Sequence, residues 1–373
     1  MRRGWFNVLP TLAIGFVLLE CKQPQSQRPQ FVYVANFYSN LVSAYSIGSD
    51  GALVPVPGSS FGEDAAVGPI SVAIDSAAKF AYVANYASNN ISVFGIGSNG
   101  TLTSVPGSPF SGGYYPYSVA LDPTGKFVYV ANNFSGNVSA YSIGSDGNLM
   151  PVPGSPFAAG QYPYSMAVDS TAKFAYVANF NSKNVSAYSI GSNGALTSIA
   201  GSPFAAGGGP ISVTVDPTCK FAYVANYSSK NVSAYSVGTN GALMPVPGSP
   251  FAAEDGPFSV TVDPRAKFVY VANKGSDNVS AYSIGSNGAL MPVPGSPFAA
   301  GGGPISVAVD PTAKFVYVAN FYSNNVSAYS IGSDGALTPV PGSPFGARVN
   351  PISVATTRLM PLQSHPETEN TAR

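Results

Sequence analysis

Glu63 with Asp64, and Glu254 with Asp255, are two adjoining carboxylate pairs in a chain otherwise poor in reactive side chains. A positioned carboxylate can act as general base for water attacking a lactone carbonyl, which makes Glu63, Glu254 and Asp255 the candidate catalytic groups. The single histidine, His365, lies in the polar stretch QSHPETENTAR. Without another imidazole, Ser-His-Asp and Cys-His catalysis and His-ligated zinc or haem have no place in the rest of the chain. Cys21 and Cys219 differ in context and lie far apart, so neither a disulfide framework nor a thiolate zinc site is expected. No metal or cofactor is expected.

Lys plus Arg and Asp plus Glu number 17 each, so no net field draws nucleic acid, and no nucleic-acid partner is expected. Charged residues are only 9%, with 40 Gly, 33 Pro, 22 Tyr and 22 Phe. That mixture suits short strands punctuated by turns.

Those strands repeat. The tetrapeptide YVAN begins at Tyr33, Tyr82, Tyr129, Tyr176, Tyr223, Tyr270 and Tyr317, at spacings of 49 and then 47 residues. A period of this length implies a solenoid, propeller or array. Each unit carries three β-rich segments, of the kinds ISVAVD, FVYVAN and NVSAYSIG, and a proline-rich fourth, ALTPVPGSPF. Proline cannot donate to a ladder, so the fourth segment belongs on an outer edge. Four strands per unit describe a propeller blade. The repeats open at Phe31 without a PISV segment and end on an unmatched PISVAT at Pro351–Thr356. The fold expected is an all-β, seven-bladed β-propeller over residues 31–357, its ring closed by the C-terminal strand pairing into the first blade.

The ends read differently. Arg2 and Arg3 precede an apolar run from Val8 to Leu19, shorter than the ~20 residues of a membrane span. Residues 1–21 therefore read as an export signal. LLEC resembles a lipoprotein signal, with Cys21 the lipidation candidate, although Glu20 departs from the small residue that pattern wants. Residues 22–30 read as a polar tether and 358–373 as a polar tail. The expected location is periplasmic, outer-membrane-attached or at the cell surface, with membrane contact only through the signal or its lipid.

The unit YVAN…NVSAYSIGSDGALTPVPGSPFAAGGGPISVAVDPTAKF resembles the repeat of the bacterial lactonase-like and YVTN-repeat propellers. The resemblance covers residues 31–357. It implies the propeller fold and, for some members, hydrolysis of sugar lactones as in 6-phosphogluconolactonase. The His, Glu and Arg that such enzymes use have no matching positions here, so no catalytic residue is carried over.

Departures between copies gather in two connections, one after YVAN and one entering the next unit, which lie on one face of an up-and-down blade. That face carries Phe37, Tyr38, Tyr86, Tyr114, Tyr115, Tyr117, Phe134, Tyr162, Tyr164, Phe180, Tyr227, Phe321 and Tyr322. Exposed rings beside Asn and Ser suit a carbohydrate or protein surface. Tyr114, Tyr115, Tyr117, Tyr162 and Tyr164 form the densest group, with Phe37, Tyr38, Phe321 and Tyr322 as further ligand-binding candidates. With drift in loops as the bland alternative, the leading expectation is an exported, non-catalytic binding or scaffold module. A lactone hydrolase and a purely structural surface repeat are the alternatives. The recurrent Asp–Lys pairs, such as Asp122 with Lys126, read as turn formers with a screened ion pair, and the Asn ending YVAN as a strand terminator.

Overall fold

The computed structural model describes residues 29–62 and 65–357. Cys21, Glu63 and Asp64, together with the signal and the tail, lie outside the described residues. Seven antiparallel sheets succeed one another, each starting from an innermost PISVAV-type strand and followed outwards by the FVYVAN-type and NVSAYSI-type strands. In blade 1 the innermost strand is Pro351–Thr356, which pairs antiparallel with Phe31–Asn36, while Phe31 donates its N–H to the Thr357 hydroxyl. The ring closes as the truncated ends imply.

The proline-rich segment divides. In blade 3, Leu149–Pro151 pairs with one end of Asn137–Ile143 and the two-residue strand Phe157–Ala158 with the other. Blade 1 keeps only Leu53–Pro55 and an isolated bridge between Val42 and Phe61.

Burial follows from the second strand being apolar on both faces. Tyr82 and Ala84 of blade 2 pack against Val128 and Val130 of blade 3, while Ala81 and Val83 pack back against Tyr33 and Ala35 of blade 1. Each wedge is therefore a core only between two others, and the ring folds as a whole.

Two further devices repeat at every joint. The innermost strand has an unpaired edge towards the axis, which would leave amides orphaned. A serine hydroxyl from the preceding blade accepts one of them: Ser71 from Val119, Ser118 from Met166, and so on to Ser353 from Val72, which completes the circle. Further out, the phenylalanine opening each second strand lies against a turn glycine of the next blade, Phe127 on Gly194 and, across the closure, Phe315 on Gly51. Those glycines have φ of +81° and +86°, and a Cβ there would fall 2.4 and 2.3 Å from the ring. The GSDG and GSNG turns are constant for both reasons.

The Asp–Lys expectation is corrected. Asp122 is buried, and its Oδ1 accepts the backbone N–H of Lys126 and Phe127 at 2.8 and 2.7 Å. Among the described residues, the one such turn with an ion pair is Asp263–Arg265, at 2.9 Å. A carboxylate enclosed by its own turn satisfies amides, and Lys126 stays exposed. The YVAN asparagines are structural as read: Asn132 Nδ2 donates to Asn137 Oδ1 and Ser139 Oγ, both at 2.8 Å.

The seven YVAN tyrosines are fully buried, and burial pushes each phenol above its ordinary value. A pKa raised in the fold means stability that is intact below the unfolded value of about 10 and lost as pH rises past it towards the folded value. An alkaline titration is therefore expected to show a steep tyrosinate absorbance rise coinciding with loss of β circular dichroism. Gradual ionisation with the β signal retained would contradict it.

Candidate functional site

The two variable connections converge on one end of the ring, here called the top. The residue following each YVAN stands at the top: Phe37, Tyr86, Asn133, Phe180, Tyr227, Lys274 and Phe321. The second residue of each innermost strand stands beside it, aromatic in three blades as Tyr117, Tyr164 and Phe258. These side chains form a nearly continuous collar around the mouth of the channel. Phe37 meets Tyr86 at 6.1 Å, Tyr86 meets Tyr117 at 6.1 Å, and Tyr117 meets Tyr164 at 4.4 Å between centroids. The series continues through Tyr164–Phe180, Phe180–Tyr227 and Tyr227–Phe258, at 5.2, 6.5 and 6.1 Å.

The series passes from Phe258 to a cation. Lys274 Nζ lies 5.3 Å from the Phe258 centroid and 5.7 Å from those of Phe321 and Tyr322. It is the one charged residue in the post-YVAN column, its backbone N–H is held by Gly256 C=O at 2.8 Å, and among the described residues it makes no salt bridge. Its ammonium is thus steadied by ring faces and free to meet a polarised oxygen.

The opposite side of the mouth is phenolic. Among the described residues, Tyr86, Tyr117 and Tyr164 make no hydrogen bond through their hydroxyls, unlike six of the seven YVAN tyrosines, whose hydroxyls donate to turn carbonyls such as that of Gly194. Burial, with smaller contributions from neighbouring phenols, pushes all three up, so at neutral pH they are donors rather than bases. Asn133 interrupts the aromatic column in blade 3; it is buried, and among the described residues its side chain makes only a long 3.4 Å bond to Pro163 C=O.

Of the rings read from sequence, Phe37, Tyr86, Tyr117, Tyr164, Phe180, Tyr227 and Phe321 belong to the collar. Tyr115 stacks on Tyr86 at 4.5 Å and 14°, one layer outwards. Tyr38, Tyr114 and Tyr322 are exposed on the top surface, and Tyr162 is partly so. The carboxylates are not brought together. Glu254 is exposed, and Asp255 forms an exposed ion pair with Lys230 at 3.1 Å. Asp277 uses its carboxylate to accept the Gly303 N–H at 2.7 Å. Among the described residues no three His, Cys, Asp or Glu side chains converge. Lys274, Asn133 and Phe258 were missed by sequence reasoning. Their signal was present as the odd members of two columns, once the copies are compared position by position.

The family model for the seven-bladed lactonase β-propeller matches residues 27–156 and 145–342. The chain belongs to that family. Among solved structures, a putative 6-phosphogluconolactonase from Bacteroides fragilis superposes on this lactonase-family propeller with a TM-score of 0.76 at 19% identity, covering 90% of this chain and all of the other. The periplasmic gluconolactonase of Pseudomonas aeruginosa gives 0.77 at 16% identity, covering 89% and 100%. Kuenenia stuttgartiensis hydrazine synthase gives 0.59 at 16% identity, covering 76% and 88%. At such identities the likeness is one of fold. Among curated proteins, none matches the sequence.

The family match corrects the leading expectation of a non-catalytic binding or scaffold module. It favours the hydrolase alternative. The expectation leaned on missing histidine, but opening a lactone requires an electrophile at the carbonyl and a water, and an imidazole is one base among several.

Proposed function

We propose that this lactonase-family propeller hydrolyses a sugar lactone at the top mouth of its channel. The observation that carries the reading is the family match across nearly the whole repeat region. The mouth supplies the parts the reaction uses. A pyranoid lactone offers an apolar face to the collar rings, among them Tyr117 and Tyr164. Water adds to the carbonyl carbon, and the charge that develops on the carbonyl oxygen is met by the Lys274 ammonium. The ring C–O bond then breaks, the ring oxygen takes up the proton that the attacking water gives up and becomes the hydroxyl, and the product is the open hydroxy acid. The phenols of Tyr117 and Tyr164, kept protonated by burial, are placed to donate hydrogen bonds to ring hydroxyls.

The test is a pH-stat assay of the full chain on a panel of aldono-δ-lactones, against a heat-denatured sample. Turnover above the spontaneous rate is expected. No turnover on any member of the panel would overturn the proposal.

A further inference from the structure

The residue preceding each innermost strand has positive φ in every blade. Gly68, Gly209, Gly256 and Gly303 occupy it at +68°, +67°, +62° and +66°, and Asn350 at +55°. These are the residue types that tolerate the left-handed region. Blades 3 and 4 instead place Tyr115 there at +52° and Tyr162 at +54°. A bulky side chain in this conformation costs on the order of 1 kcal/mol and persists where something else holds it. Packing accounts for Tyr115, through its stack on Tyr86 and its edge contact with Phe134 at 5.7 Å. It does not account for Tyr162, which among the described residues makes no ring contact or side-chain hydrogen bond and is 38% exposed.

Tyr162 instead walls a cleft. Together with Phe134, Ser135, Gln161 and Ser182 it lines a cavity of about 540 Å³ on the top surface between blades 3 and 4. No charged residue lines the cleft. It adjoins the mouth: the Tyr162 C=O accepts the backbone N–H of the collar residue Phe180 at 2.9 Å, and Tyr164 of the collar lies two residues further along the chain. A cleft lined by two aromatic rings together with amide and hydroxyl groups suits an uncharged pyranose, stacked by its apolar face and hydrogen-bonded at its edge.

We infer that the Phe134–Tyr162 cleft is a second sugar subsite, and that the substrate is a glycosylated aldonolactone, with its lactone unit in the mouth and its next sugar in the cleft. This rests on the hydrolase reading of the mouth. Its place in a reaction sequence follows from the chemistry: the lactone is supplied by two-electron oxidation at the anomeric carbon of an oligosaccharide's reducing end, and the product is the corresponding aldonic acid.

The test compares kcat/KM for a 4-O-glucosyl gluconolactone with that for gluconolactone, in the native chain and in Tyr162→Gly. A preference of about tenfold or more for the disaccharide lactone is expected in the native protein, falling to about one in the variant, since tenfold is what a single good stacking contact is worth. The variant restores the residue found in four other blades, so its melting midpoint is expected to equal or exceed the native one, which separates lost recognition from lost folding. Equal rates for the two lactones in the native chain, or a preference surviving in Tyr162→Gly, would overturn the subsite. If neither lactone is turned over, the hydrolase reading falls and calorimetry decides the cleft. Cellobiose binding more tightly than glucose, and no longer so in Tyr162→Gly, would sustain the subsite, and equal binding would overturn it.

Discussion

Replacing Lys274 with Met is expected to lower kcat for lactone hydrolysis by about 10²- to 10³-fold while leaving the melting midpoint close to native. The size follows from removing one preorganised charge that faces a developing oxyanion. The small structural effect follows from the side chain's surroundings. Lys274 lies over the rings of Phe258, Phe321 and Tyr322 and makes no salt bridge among the described residues, so an unbranched apolar chain of similar length keeps its packing. What is lost is a cation–π contribution of about 0.5–1 kcal/mol. Lys274→Arg retains the charge but spreads it over a planar fork and should fall between the two. Steady-state kinetics on a hydrolysed lactone, read beside a thermal melt, check the claim. An unchanged kcat in Lys274→Met would remove the cation from the mechanism.

The largest effect on stability is expected from cutting the chain after Asn350. That removes Pro351–Thr356, the antiparallel partner of Phe31–Asn36, and with it the buried Val354. It also removes the Ser353 hydroxyl that accepts from Val72, and the Thr357 hydroxyl that accepts from Phe31. Five paired positions at about 1 kcal/mol each, with the apolar area they cover, are of the order of a domain's whole stability. The truncated chain should fail to give a soluble, cooperatively melting species. A permutant that carries residues 351–356 ahead of Phe31, joined through a copy of the Asp310–Lys314 turn, should recover a single sharp transition. Cooperative melting of the truncated chain would show that the ring does not need its closing strand.

The blade count and the closure were legible because both are carried by order along the chain: a fixed period, and one segment missing at the start that reappears at the end. The second strand's two apolar faces were legible for the same reason, since alternation alone assigns Tyr129 and Val130 to opposite neighbours. Contacts that depend on how a turn encloses its own side chains were not. Asp122 and Lys126 sit at ion-pair spacing, yet the carboxylate takes the lysine's backbone amide because the turn buries it. The candidate site was half legible. Phe37, Tyr117, Tyr164 and Phe321 stood out as rings, whereas Lys274 and Asn133 were passed over as loop residues because nothing in their own stretches marks them. Their meaning comes from the column they interrupt, and that column becomes physical only when seven copies are placed around one axis. The strain at Tyr162 was hidden too: a change from Gly to Tyr can be read in sequence, but the sign of φ cannot.

The circle of serine-to-amide bonds, with Phe against Gly further out, has a consequence for heredity. Each joint is made by the same groups whichever two wedges meet, so a joint carries no record of which neighbours it unites. An in-frame gain or loss of one repeat in the gene would still yield a chain whose two end pieces complete each other. The split first blade acts as a clasp that does not depend on the number of links between its halves. Lys274 and Tyr162 would travel within their own units as cargo, so the circumference of the molecule and the contents of its mouth can be edited independently.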